Sequence, residues 1–219
     1  MSAAAFRARY AAYTVDLAVL ALPVVAVAWR SLERAYAAWR VLENDMLVAL
    51  DRAFVAGHVA LFDLAAALRG DAEFMGAMGQ GVAAISAALL AAAALGWSVL
   101  ALYFVGFEAS PWRATPGKRA LGLRVATLDG ASARLPRVLL RFLAAGPSWV
   151  LLHLGHALVL FRDDDRAGHD LIAGTRVDGV TSHLPAWANA WLGLQTVVAA
   201  LFLAGVAWTL LRAVLLLGL

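Results

Sequence analysis

The chain has 219 residues, of which 63% are hydrophobic and 15% charged, with a formal net charge of +3 and no cysteine. Its mean hydropathy of +0.77 lies well above that of soluble domains, which are roughly half apolar. This excludes a soluble globular enzyme, while the lack of cysteine excludes disulfides and thiolate metal sites. The basic excess does not point to nucleic acid, because the Lys and Arg residues flank apolar runs, where they mark cytoplasmic loops.

The first apolar run is predicted to span the bilayer over about Ala11 to Trp29. Arg9 stands at its threshold and Asp16 lies inside it. An acid at mid-membrane costs ~2.5–3.5 kcal/mol on insertion scales, so Asp16 calls for a partner or a function. Seven residues make two helical turns, which places Arg9 and Asp16 on one face about 10 Å apart. From Arg30 to Gln80 the pattern turns amphipathic, with apolar positions three and four apart between charges. This block is expected to form membrane-surface or periplasmic helices. The charge-free run from Val82 to Val105 is the second predicted span, and its Ala-rich face with Gly96 suits close helix packing.

The loop from Gly106 to Pro136 carries Arg113, Lys118, Arg119, Arg124 and Arg134, which predicts a cytoplasmic location. Arg7 and Arg9 then place the N-terminus inside as well. Its TPGKRA stretch is no phosphate loop, since Trp112 occupies the position of the first glycine and Arg119 that of the magnesium ligand. It reads instead as a tight turn presenting Lys118 and Arg119 to lipid phosphates. Val138 to Phe161 is apolar but contains Arg141, His153 and His156, and Gly146-Pro147 interrupts it. It either spans with a kink or breaks at Gly146-Pro147 and returns. Pairing of the β-prone segments Gly122–Thr127 and Gly174–Val177, each too short to stand alone, favours the return. His153 and His156 share a face but lack a third ligand, so packed or interfacial histidines are expected rather than a metal site. Asp163 to Asp165 reads as a solvated acidic turn. Trp187 to Leu211 is a further span. No Ser-His-Asp set or carboxylate pair supports enzymatic chemistry, and no cofactor is implied.

The stretch from Ala114 to Arg141 resembles the central signature of the RDD family of bacterial membrane proteins. It has a T-x-G-K core (Thr115, Gly117, Lys118), a G-L-x-V strand from Gly122, an Asp-Gly turn and a Leu-Leu-Arg ending at Arg141. The later HD and GT-x-V, at His169-Asp170 and Gly174 to Val177, resemble the closing signature. The family's arginine and two aspartates map by position onto Arg9, Asp16 and Asp170. The resemblance spans residues 6 to 178 in three blocks. An extra helix after residue 186 and the run Asp163 to Asp165 depart from the pattern.

The expected fold is an all-α polytopic membrane protein with three to four transmembrane helices, amphipathic helices and a small cytoplasmic β-pairing. Residues 1–180 would form the RDD-like domain, with the insert at about 30–80, and 186–219 an additional helix. Asp16 and Arg141 lie at equal depth, ~6–8 Å below one interface, and Glu108 closes the second span at the same level. Arg9, Asp16, Arg141 and Asp170 are therefore expected in one polar cluster. Transport in the bacterial inner membrane is what the resemblance implies: exchange of Na⁺ or K⁺ for H⁺ at Asp16, with Asp170 as a second carboxylate. Three or four helices per protomer are too few to enclose a pathway, so transport would need a homo-oligomer. The alternative is a scaffold or assembly subunit whose buried charges orient helices.

Overall fold

The computed structural model describes residues 2–58, 60–150, 157–179 and 183–217. Among them are seven α-helices: α1 (Ser2–Val55), α2 (Leu61–Gly70), α3 (Ala72–Ala109), α4 (Pro116–Ala120), α5 (Leu135–Val150), α6 (Gly168–Ala173) and α7 (Ala186–Leu217). Two strands, β1 (Arg124–Thr127) and β2 (Thr175–Asp178), form one antiparallel ribbon. Helices α1, α3 and α7 are long and apolar enough to cross a membrane. They contain the three expected spans, which makes this a multi-pass membrane protein. The chain divides into two units, Met1–Ala18 with Leu102–Leu219, and Val19–Ala101.

The second unit corrects the expected boundaries. The first helix does not end near Trp29 but continues unbroken to Val55, 54 residues in all. From Val24 to Val55 the sequence offers no glycine or proline, so nothing stops the helix, and Pro23 is accommodated within it. The amphipathic segment is therefore the far half of α1. Gly57 stops it, at a φ of +89°, with the Gly57 and His58 amides bonding back to the carbonyls of Phe54 and Ala53. This is a Schellman ending, which a left-handed glycine favours. Helix α3 likewise starts ten residues before the expected Val82. Arg52 ties the two helices at their turn, 2.9 Å from Asp71 and 2.5 Å from Glu73. Farther along, Gly96 leaves a side-chain position in ordinary contact with Val24. The buried residues of these segments include Ala28, Ala35, Ala49, Ala53, Ala88 and Ala92, so small residues do set the packing seam.

In the first unit, the core joins Ala8 and Ala12 of α1 to Leu123, Val125, Val138 and Val177. The strand register pairs Arg124 with Asp178, Val125 with Val177, Ala126 with Arg176 and Thr127 with Thr175. The ribbon joins the two segments whose pairing the sequence favoured, and it places both at one end of the unit. Helix α5 passes through Gly146 and Pro147, so the expected break at that dipeptide is not there. Its described part covers 16 residues, Leu135–Val150. Beyond it, Val159 and Ala167 pack with Ala5 near the start of α1, the end at which Val138 also sits. Val138 and Val159 thus both lie against the first turns of α1, on the side where the ribbon packs. His153 and His156 lie outside the described residues. Helix α7 is anchored near its start, where Trp191 and Gln195 donate to the Thr14 hydroxyl at 2.9 and 3.1 Å. The rest of α7 exposes apolar side chains from Leu194 to Leu216, a surface for lipid.

The ribbon gives a direct test on this cysteine-free chain. The Val125 amide bonds the Arg113 carbonyl rather than β2, so Val125 and Val177 form a non-hydrogen-bonded pair. Such pairs have Cα atoms about 4.5 Å apart, which suits a disulfide. Val125→Cys/Val177→Cys should crosslink intramolecularly under mild oxidation in membranes, whereas Val125→Cys/Arg176→Cys should not. Failure of the first pair to crosslink would contradict the return of the chain after α5.

Candidate functional site

Asp16 is completely buried, and its partners are neutral. Oδ1 accepts from the Tyr103 hydroxyl at 2.8 Å and from the Gly117 amide at 2.7 Å, and Oδ2 accepts from the Thr115 hydroxyl at 2.5 Å. The sequence TPGK makes this possible. Thr115 is the N-cap of α4, its hydroxyl oxygen accepting the Lys118 amide at 3.3 Å, and Pro116 opens the first turn. Asp16 then takes an N–H that a helix start leaves unpaired. Gly117 is required by space rather than by backbone angle. A Cβ there would lie 2.3 Å from the Ala12 carbonyl oxygen and 2.8 Å from the Asp16 carboxyl carbon.

The arginines belong to a second carboxylate. Asp170, also fully buried, accepts on Oδ2 from Arg9 at 2.6 Å and from the Ala167 amide at 3.1 Å. On Oδ1 it meets Arg141 and, at 3.2 Å, the Thr175 hydroxyl. Arg141 also donates from Nε to Glu108 at 3.1 Å, and Glu108 holds Lys118 with its other oxygen. Five charges therefore alternate along one chain: Lys118, Glu108, Arg141, Asp170, Arg9. Asp16 joins it through the turn that carries Lys118. Three cations and three anions balance, as burial demands. Burial pulls the Lys118 ammonium below the usual lysine range, with Glu108 opposing.

The structure thus brings Arg9, Arg141 and Asp170 together and places Asp16 beside them without a hydrogen bond or ion pair to either arginine. The equal depth and shared face expected of Asp16 did not identify its partners. Lys118, expected to face lipid phosphates, is instead buried on Glu108, because the turn that caps Asp16 directs it inward. Its neighbour Arg119 is the outward residue, stacked 4.1 Å from the ring of Trp112. Gly122 takes a φ of +71° where α4 gives way to β1. Tyr103 and Thr175 were not recognisable as site residues, since lone hydroxyls in apolar or β-prone stretches carry no spacing signal. Asp164 accepts from Arg162 and Arg166, which hold its carboxyl well below the usual carboxylate range, as an acidic turn at the surface allows. Asp165 contributes its carbonyl to Arg9 at 2.6 Å, so that run is not wholly solvated. Among the described residues no group of three acidic or histidine side chains is placed to hold a metal ion.

Beside the charge chain lies a cavity of about 320 Å³. Arg9, Glu108, Lys118 and Arg141 line one part of it, and Phe6, Tyr13, Phe104, Phe142 and Trp149 much of the rest.

Two substitutions separate the roles of the two aspartates. Asp170→Asn leaves two buried guanidiniums short of a countercharge and should cost about 3–5 kcal/mol. Asp16→Asn disturbs hydrogen bonds from neutral donors and should cost about 1–3 kcal/mol. Thermal unfolding in detergent should therefore rank Asp170→Asn as the more destabilised variant; the reverse order would refute this assignment. Gly117→Ala should also lower the melting temperature, since neither the α1 backbone nor the Asp16 carboxylate can give way without losing the cap.

A family model described as the RDD family matches residues 3–174, a stretch containing every residue of the charge chain and ending before α7. No curated protein and no solved structure matches the chain.

Proposed function

The chain belongs to the RDD family, and on that premise we propose that it is a membrane scaffold or assembly subunit, its buried charges fixing a helical platform at the cytoplasmic face of the bacterial inner membrane. One observation carries this reading: the protein's own donors engage every carboxylate oxygen of the site. Asp16 has three, Glu108 two and Asp170 four. A carboxylate oxygen can accept about two hydrogen bonds, so Asp170 is saturated. A cation arriving at Asp16 would have to displace an N-cap, a backbone amide and a tyrosine. The basic loop supports the cytoplasmic assignment through the excess of Lys and Arg on that side. The reading involves no enzymatic step.

A second reading, exchange of Na⁺ or K⁺ for H⁺, draws on a different observation. Glu108 lines the cavity and is the carboxylate of the network placed there, so it replaces Asp16 as the group an ion would meet. Three long helices enclose little of a pathway, so exchange would call for a homo-oligomer.

Proteoliposomes carrying a pH-sensitive dye distinguish the two. The scaffold reading expects no proton flux driven by Na⁺ or K⁺ gradients from the wild-type protein. Cation-dependent flux that Glu108→Gln abolishes while the protein stays folded would overturn it. Flux lost in Asp16→Asn but retained in Glu108→Gln would restore Asp16 as the working residue.

A further inference from the structure

The cavity beside the charge chain is neither uniformly polar nor uniformly apolar. Tyr13 stacks on Phe104 at 6.3 Å, and Trp149 stands edge-on to Phe142 at 5.6 Å, forming aromatic walls. The charged part carries three cations, Arg9, Lys118 and Arg141, against one lining carboxylate, Glu108. Asp170, which balances two of those cations, does not line the cavity. The lining side chains therefore carry more positive than negative charge, with Asp170 offsetting Arg9 and Arg141 from behind. An anionic head would find guanidinium and ammonium groups there.

The cavity size narrows the choice. At about 320 Å³ it lies at the lower end of the ~300–1,000 Å³ range of ligand pockets, a size that suits one alkyl chain. Its walls come in part from α1 and α3, which are long enough to span the bilayer, so a chain can arrive from the surrounding lipid. We propose that this cavity binds a single-chain anionic amphiphile, with its alkyl chain among Tyr13, Phe104, Phe142 and Trp149 and its carboxylate or phosphate head at Arg9, Lys118 and Arg141. The proposal is independent of the scaffold reading, because it needs neither a protein partner nor ion flux.

Trp149 is one of eight tryptophans, so the quenching that reports the cavity is the part that the Trp149→Phe variant lacks. Full-length protein in phosphatidylcholine nanodiscs is titrated with brominated fatty acids of increasing length, and tryptophan fluorescence is read. Saturable quenching is expected, with affinity rising with chain length and then levelling off once the cavity is full. Affinity that rises without limit marks simple partition into the bilayer and overturns the proposal. The brominated alcohol of equal length should bind at least ~10-fold more weakly; equal binding overturns the anionic head. A single-chain alkyl phosphate should compete with the acid, whereas inorganic phosphate should not. Competition by inorganic phosphate alone would reduce the site to an anion site without a chain.

Ala145→Phe adds a ring inside the cavity without touching the charges, and should abolish saturable quenching while the protein remains folded. Unchanged quenching in folded Ala145→Phe overturns the location. If that variant does not fold, the wild-type chain-length and alcohol series decide the matter.

Discussion

Asp170 stands between two guanidiniums that come from opposite parts of the sequence, Arg9 on α1 and Arg141 on α5. The carboxylate itself sits in the first turn of α6, one residue from His169 and five from Thr175 at the start of β2. One buried side chain thus holds the N-terminal helix, the returning helix and the ribbon together. In a low-dielectric interior such an arrangement does more to select one packing than to add stability. Each of its charges is costly unless all are in place, so alternative dockings of these elements are penalised heavily. The dependence extends outward: Arg141 reaches Glu108 on α3, and Glu108 reaches Lys118 on α4.

Asp16 performs a related task by different means. It holds a short turn against α1 through neutral donors, and the glycine at position 117 lets the two backbones approach within carboxylate reach. The two aspartates therefore divide the work. One neutralises buried cations; the other organises the turn that delivers Lys118 to Glu108.

The sequence revealed much of this and hid some for definite physical reasons. Apolar runs located α3 and α7 because lipid solvation is a property of composition and length. The ribbon was legible because two β-prone segments of similar size had nothing else to pair with. The extent of α1 was hidden because a change from apolar to amphipathic pattern signals a change of surroundings, not the end of a helix. Only Gly57 ends it. Individual charged site residues stood out, since each is anomalous beside apolar sequence. Their pairing did not, because partners are chosen by side-chain reach across helices and by donors such as the Gly117 amide, which has no sequence signature. Pro147 misled in the opposite direction: a proline within an apolar segment can be carried inside a helix when neighbouring groups satisfy the freed carbonyl.

The span in sequence between partners has a consequence for biogenesis. Thr115 and Gly117 follow Asp16 by 99 and 101 residues, and Asp170 follows Arg9 by 161. At ~5–20 residues per second, synthesis leaves the first helix without these partners for a time on the order of ten seconds. During that interval Asp16 lacks the donors that hold it in the folded protein. The first helix therefore reaches its final depth only after the turn at Thr115 has emerged, and the N-terminal segment, though made first, is among the last to be fixed in place.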